Sequence, residues 1–167
     1  MNRPSNISLK DWHILKEKYP DNLEEILKKI ESGYPIQYII GNVEFLDCLI
    51  SVDERVLIPR FETEYLVSLV INYAKKHFTH KLSTIDLGTG SGCIAIALKK
   101  HLDTFVTAVD ISKDALSLAK LNAKNNNVEI EFLKQDMLDD LEKKYDIIIS
   151  NPPYIPDNGY VEESVLK

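Results

Sequence analysis

Cysteine is scarce: Cys48 and Cys93 are the only two in 167 residues, too few and too dispersed for a disulfide framework or a zinc site. No apolar run is long enough to cross a bilayer, and no signal peptide opens the chain, so neither a membrane span nor secretion is expected. An excess of positive charge is missing too. Twenty Lys and Arg face 26 Asp and Glu, a net charge of −6 with a pI near 5.2. That balance disfavours broad electrostatic capture of nucleic acid and leaves open only a local basic patch. His13, His77, His80 and His101 are scattered, and no metal is assigned to them. With no repeats or low-complexity tracts, the expectation is a cytoplasmic chain long enough to bury a sizeable core.

Three stretches differ in character. In residues 1–33, after a frayed stretch 1–7, Ser8 and Asp11 start a helix with Leu9, Trp12, Ile14 and Leu15 on its apolar face. A second helix carries Leu23, Ile26, Leu27 and Ile30 and stops at Gly33, a favoured residue past a helix end. Residues 34–59 read as a linker and a β-hairpin around Leu46, Asp47 and Cys48. From residue 60 to 167 the pattern becomes helix, then strand and helix in alternation. The expected pieces are a helix over 62–76 with Tyr65, Leu66, Leu69, Val70 and Tyr73 at helical spacing, strands over 84–88, 104–110, 128–133 and 145–150, and helices over 92–100 and 113–124. Alternation of this kind predicts an α/β fold with a parallel sheet and right-handed crossovers.

The chemistry gathers where the last of these strands stops. Ile147, Ile148, Ile149 and Ser150 run into Asn151, Pro152, Pro153 and Tyr154, and two prolines cannot extend a hydrogen-bonded ladder. Neither proline has an N–H, so the corner offers carbonyl acceptors beside the Asn151 amide and an aromatic face from Tyr154. Such a corner suits a planar amide or amino group held by both its N–H bonds, one to the Asn151 side-chain oxygen and one to the Pro152 carbonyl. Two acceptors there stabilise the positive charge that grows as nitrogen attacks an electrophile, an oxyanion hole with the signs reversed. The plainer alternative is a turn, since Asn and Pro are common turn residues.

A second signature precedes it. Asp86, Leu87, Gly88, Thr89, Gly90, Ser91 and Gly92 form a GxGxG turn between a strand and a helix, where open α/β sheets bind ligands. Cys93 stands where the dinucleotide fingerprint needs its last glycine, which weakens a nicotinamide or flavin reading. Asp110, followed by Ile111, ends the next strand, where a carboxylate can accept from two ribose hydroxyls. Asp136 and Met137 follow the third strand and can meet an adenine ring. With the Asn151 corner, the combination points to S-adenosylmethionine and methyl transfer to nitrogen.

Taken together, these segments resemble the release factor glutamine methyltransferases (PrmC/HemK type). The resemblance covers about residues 34–156 and is carried by Tyr34 to Gly41, Val56 to Glu64, Asp86 to Ala95, Ala108 to Ser112 and Ser150 to Ile155. It implies a Rossmann-like class I S-adenosylmethionine-dependent methyltransferase, of whose usual seven strands the first four are present, preceded by a β-hairpin and a short helical segment. It also implies methylation of the side-chain amide nitrogen of the glutamine in the Gly-Gly-Gln motif of class 1 peptide chain release factors, in translation termination. On that basis Asn151, Pro152 and Tyr154 are the catalytic candidates. Asp86, Gly88, Thr89, Gly90, Gly92, Asp110, Ile111, Asp136, Met137 and Asn151 are the cofactor candidates. Arg60, Glu62 and Pro153 join Asn151, Pro152 and Tyr154 toward the substrate, although Glu62 and Glu64 also suit a helix start on dipole grounds alone. Nucleic acid would be met only indirectly, and the full-length form is expected to be a monomer.

The chain departs from the family at three places. Phe61 replaces a proline, the N-terminal helical part is about half the usual length, and the chain ends at Lys167 before the fifth to seventh strands, so it is expected to be part of a longer protein. Two rival functions stay open: an adenine-specific DNA N6-methyltransferase, whose exocyclic amino group presents the same two N–H bonds, and a module that binds cofactor or release factor without turnover.

Overall fold

The computed structural model of the chain describes residues 2–141 and 143–152. Helix α1 spans Leu9–Lys18, and the Ser8 hydroxyl accepts from the Asp11 N–H while donating to Asp11 Oδ2 at 2.7 Å, a cap of about 1 kcal/mol. Helix α2 spans Leu23–Glu31. A third helix, α3 over Ile36–Ile40, was not anticipated. Its C-terminal carbonyls are taken by α1: Lys18 Nζ donates to Ile39 O and Ile40 O, and the Tyr19 hydroxyl to Ile39 O. Trp12, Leu15, Ile26, Leu27, Ile39 and Ile40 then share one apolar cluster with Ile7. The expected fraying stops short of Ile7, which is buried: its N–H donates to Pro4 O, and the Arg3 guanidinium donates to its carbonyl.

The hairpin pairs β1 (Asn42–Phe45) with β2 (Cys48–Ser51) in antiparallel register, Phe45 opposite Cys48. Its two turn residues, Leu46 and Asp47, have φ of 45° and 60°, the handedness that matches strand twist. A leucine there costs roughly 1–2 kcal/mol. The tip is clamped from outside: Glu64 Oε1 accepts from Leu46 N–H, His101 Nε2 meets Leu46 O at 2.9 Å, and the Lys100 ammonium donates to Asp47 O.

The remaining elements are α4 (Phe61–His77), β3 (Leu82–Leu87), α5 (Cys93–His101), β4 (Thr104–Asp110), α6 (Lys113–Asn125), β5 (Glu131–Lys134) and β6 (Ile147–Ser150). Among the described residues the sheet is parallel throughout, in the order β5-β4-β3-β6. Helix α5 is buried from Cys93 through Leu98, as a helix packed on several sides must be. Asn122 of α6 and Asn126, the C-cap one turn later, cover the outer edge of β2. Asn122 accepts from Ser51 N–H and donates to Ser51 O, and Asn126 does the same for Leu49. The amides stand in for a third strand and leave no raw edge. Asn122 Nδ2 also donates to Ser91 O in the glycine turn, tying hairpin, helix and turn together.

Two expectations need correcting here. Helix α4 is where it was expected, but its buried face is Thr63, Val67, Ile71 and Ala74, whereas Tyr65, Leu66, Leu69 and Tyr73 are exposed. The helix has two apolar stripes, and spacing alone does not choose between them. Strand β5 starts at Glu131 rather than 128, because Asn127 takes φ 56° and the Val128 N–H turns back to Ala123 O to close α6, a left-handed helix stop.

Candidate active site

Three parallel strands end level with one another. Leu87 of β3 pairs with Val109 of β4 on one side and with Ser150 of β6 on the other. The next residue along each strand is therefore Asp110, Gly88 and Asn151, in that order across the carboxyl edge of the sheet. The Ser150 hydroxyl donates to Leu87 O at 2.7 Å and fixes the end of β6 against β3.

The turn after β3 reverses sharply, with φ of 73° at Gly88 and 52° at Gly90. A Cβ built on either would meet nothing within 4 Å, so both present bare backbone to open space where a ligand can lie close. Gly92 is different. A Cβ there would lie 3.0 Å from the Ala119 Cβ and 3.3 Å from Ile96 Cδ1, so close packing of α5 on α6 accounts for it.

Asp86 and Thr89 lie under the turn. Asp86 is wholly buried and Thr89 nearly so, and the Thr89 hydroxyl donates to Asp86 Oδ2 at 2.6 Å. Asp86 Oδ1 is buried with no hydrogen-bond partner among the described residues. Burial pushes this carboxyl up to about 7, against the opposing pull of Thr89 and of the Ala95 N–H in the first turn of α5. With their side chains enclosed, both residues can act on a ligand only by shaping the turn. Burial likewise pushes the Cys93 thiol up to about 12, which leaves it unreactive.

Asp110 holds the upper side of the same turn. Its Oδ2 accepts from Gly90 N–H at 2.8 Å and its Oδ1 from Ser112 N–H at 2.9 Å. Each carboxylate oxygen keeps lone-pair capacity for a further donor. Ile111 beside it is exposed. Asp136 follows β5, where the Gln135 N–H donates to Asp110 O, and its Oδ1 accepts from Leu138 N–H. Met137 is half-buried.

At the other end of the edge, half-buried Asn151 donates through Nδ2 to Thr63 Oγ1 at 2.8 Å. No donor among the described residues engages its Oδ1. Pro152 is exposed, and its carbonyl is the second expected acceptor. Pro153 and Tyr154 lie outside the described residues. Arg60 is the N-cap of α4 and Glu62 sits in its first turn, both exposed. Glu64 belongs to the hairpin clamp. Thr63 was not among the expected site residues, because its partner Asn151 lies 88 residues away in the sequence. The available signal was that Thr63, Val67 and Ile71 are spaced by four, which extends a buried stripe back to a polar residue.

A family model described as the methyltransferase small domain matches residues 65–166. The chain belongs to that family. The release factor glutamine methyltransferase of Streptococcus pneumoniae (strain ATCC BAA-255 / R6) is 45% identical over 157 residues, covering 90% of this chain and 55% of that one. The protein of the same name from Lactococcus lactis subsp. lactis (strain IL1403) is 44% identical over 162 residues, covering 93% and 59%. This methyltransferase small domain chain thus spans a little over half the length of the curated relatives it matches. Among solved structures, the delta-N METTL16 MTase domain matches with a TM-score of 0.52 and 26% identity, over 70% of this chain and 56% of that one. A SAM-dependent methyltransferase from Agrobacterium tumefaciens matches in fold, with a TM-score of 0.56, 21% identity and coverage of 67% and 39%. The architecture is the Rossmann-like class I methyltransferase fold, as the family resemblance implied.

Proposed function

We propose that the protein methylates the side-chain amide nitrogen of the Gly-Gly-Gln glutamine in class 1 peptide chain release factors, with S-adenosylmethionine as donor. The observation that carries the reading is the row Asp110, Gly88, Asn151 across three flush strand ends, supported by the names of the relatives at 44–45% identity. The donor set suits the cofactor. Open backbone at Gly88 and Gly90 admits a ligand, the Asp110 carboxylate suits ribose hydroxyls, and Ile111, Asp136 and Met137 suit an adenine. When bound, S-adenosylmethionine supplies an electrophilic methyl carbon on a sulfonium.

The residues of this chain do the rest by holding and orienting. Asn151 Oδ1 accepts one N–H of the glutamine amide and the Pro152 carbonyl accepts the other. Together they draw the nitrogen lone pair out of conjugation with its own carbonyl and stabilise the charge that develops on nitrogen. The alkylated amide is a strong acid, so its extra proton leaves to water and no general base is required. Arg60 and Glu62, exposed at the start of α4 beside the Thr63 contact to Asn151, suit the approach of a protein substrate. Among the described residues no helix is long and apolar enough to cross a membrane.

The test is calorimetry with S-adenosylmethionine, followed by transfer of labelled methyl from it to a class 1 release factor and, in parallel, to duplex DNA. Label on the release factor glutamine is the expected result. Label on DNA adenine and none on the release factor would overturn the substrate, and cofactor binding without transfer to either would leave a binding module.

A further inference from the structure

A carboxamide has an oxygen and an NH2 group of nearly equal size on opposite sides of one bond. Turned one way, Asn151 offers an acceptor to the substrate. Turned the other way it offers a donor to a donor, and the corner fails. A terminal amide torsion has broad, two-fold preferences of its own, so something outside Asn151 must choose.

We propose that Thr63 is a positioning residue for that amide: its buried hydroxyl accepts from the Asn151 NH2 and anchors that side of the carboxamide, which leaves Oδ1 free for the amide nitrogen to be methylated. The proposal rests on the amide-transfer reading above. Thr63 Oγ1 lies 2.8 Å from Asn151 Nδ2, across 88 residues of sequence. Thr63 is 6% exposed, so little water competes for the bond. Its own backbone is fixed, since both Thr63 N–H and Glu64 N–H donate to Arg60 O, and a β-branched side chain has few χ1 choices. The partner is equally fixed, because Ser150 is tied to Leu87 O immediately before Asn151. The bond thus joins two rigid ends: the first turn of α4, which carries Arg60 and Glu62, and the tip of β6. The exposed charged residues of that turn are set in register with the acceptor corner by the same contact.

Thr63→Val keeps the shape and removes the hydroxyl, while Thr63→Ser keeps the hydroxyl. On the intact protein with a release factor as acceptor, Thr63→Val is expected to lower kcat by about tenfold, as loss of one orienting hydrogen bond allows. S-adenosylmethionine affinity and Tm should stay near wild type, and Thr63→Ser should recover most of the rate. In the protein without cofactor, one Asn151 side-chain amide proton should be shifted downfield and slow to exchange by NMR, a signature lost in Thr63→Val and kept in Thr63→Ser. Unchanged kcat in Thr63→Val overturns the proposal, as does a loss that Ser does not restore or one matched by falls in Tm and cofactor affinity. A wild-type protein that methylates DNA adenine instead defeats the substrate reading alone, since the same variants then report on Thr63 with that acceptor.

Discussion

Replacing Asp86 with asparagine should remove most of the pH dependence of folding stability between pH 4 and 8. The Asp86 carboxyl has no exposed surface, and Thr89 is its one side-chain partner among the described residues; burial outweighs Thr89 and the Ala95 N–H and raises it from 3.8 to about 7. A group whose folded value lies above its unfolded value binds its proton more tightly when folded. Its contribution is therefore complete below about pH 4 and is lost as pH rises toward and past 7. At ~1.36 kcal/mol per pH unit, that interval corresponds to on the order of 4 kcal/mol. Asp86→Asn keeps an oxygen to accept from Thr89 and cannot ionise, so any constant cost of the new NH2 group cancels when the same variant is followed across pH. The assay is urea unfolding of wild type and variant at half-unit steps from pH 4.5 to 8, compared by midpoint. The difference between the two should move steadily in favour of the variant as pH rises. Parallel stability curves over that range would refute the argument and mean that Asp86 titrates as an ordinary carboxylate.

Other substitutions separate the roles of the site residues. Asp110→Ala should weaken S-adenosylmethionine binding by tenfold or more in calorimetry, since it removes both a ribose acceptor and the anchor of Gly90 N–H; an unaltered Kd would show that the ribose contact lies elsewhere. Asn122→Ala leaves Ser51 N–H, Ser51 O and Ser91 O without their partner in a buried position and should cost about 2–4 kcal/mol in denaturant unfolding. Asn126→Ala, at a half-buried position open to water, should cost roughly 1 kcal/mol or less by the same measurement. Equal losses would mean that burial does not set the strength of the clamp on the hairpin.

The parts of the fold that could be read from the chain are those where one local signal had no competitor. Thr104–Asp110 is a strand at the bounds expected, because an apolar run closed by a carboxylate leaves little choice. Ser8 and Asp11 marked a helix start through a side-chain bond that three residues can form without help. The misses arose where two solutions were locally equal. Helix α3 packs five residues, four of them apolar or aromatic, behind Pro35, too few to mark a period. Its stability comes from Lys18 and Tyr19, about 20 residues earlier. The buried stripe of α4 was hidden by a second apolar stripe that faces outward. Within the site, the types of residue were legible, but not their depth. Nothing local distinguishes Asp86, enclosed beneath the turn, from Asp110 at the open edge, because the difference is made by α5 and its neighbours closing over the first. Thr63 escaped for the same reason, since its partner lies 88 residues away.

The central claim is that Asn151, expected at both the cofactor and the substrate, acts chiefly by gripping the acceptor amide. In paired measurements on Asn151→Ala, S-adenosylmethionine affinity by calorimetry should stay within about threefold of wild type, while methyl transfer to the release factor glutamine falls by two orders of magnitude or more, about 3 kcal/mol of transition-state stabilisation. Loss of cofactor affinity in step with the loss of transfer, or transfer that survives the substitution, would contradict the account.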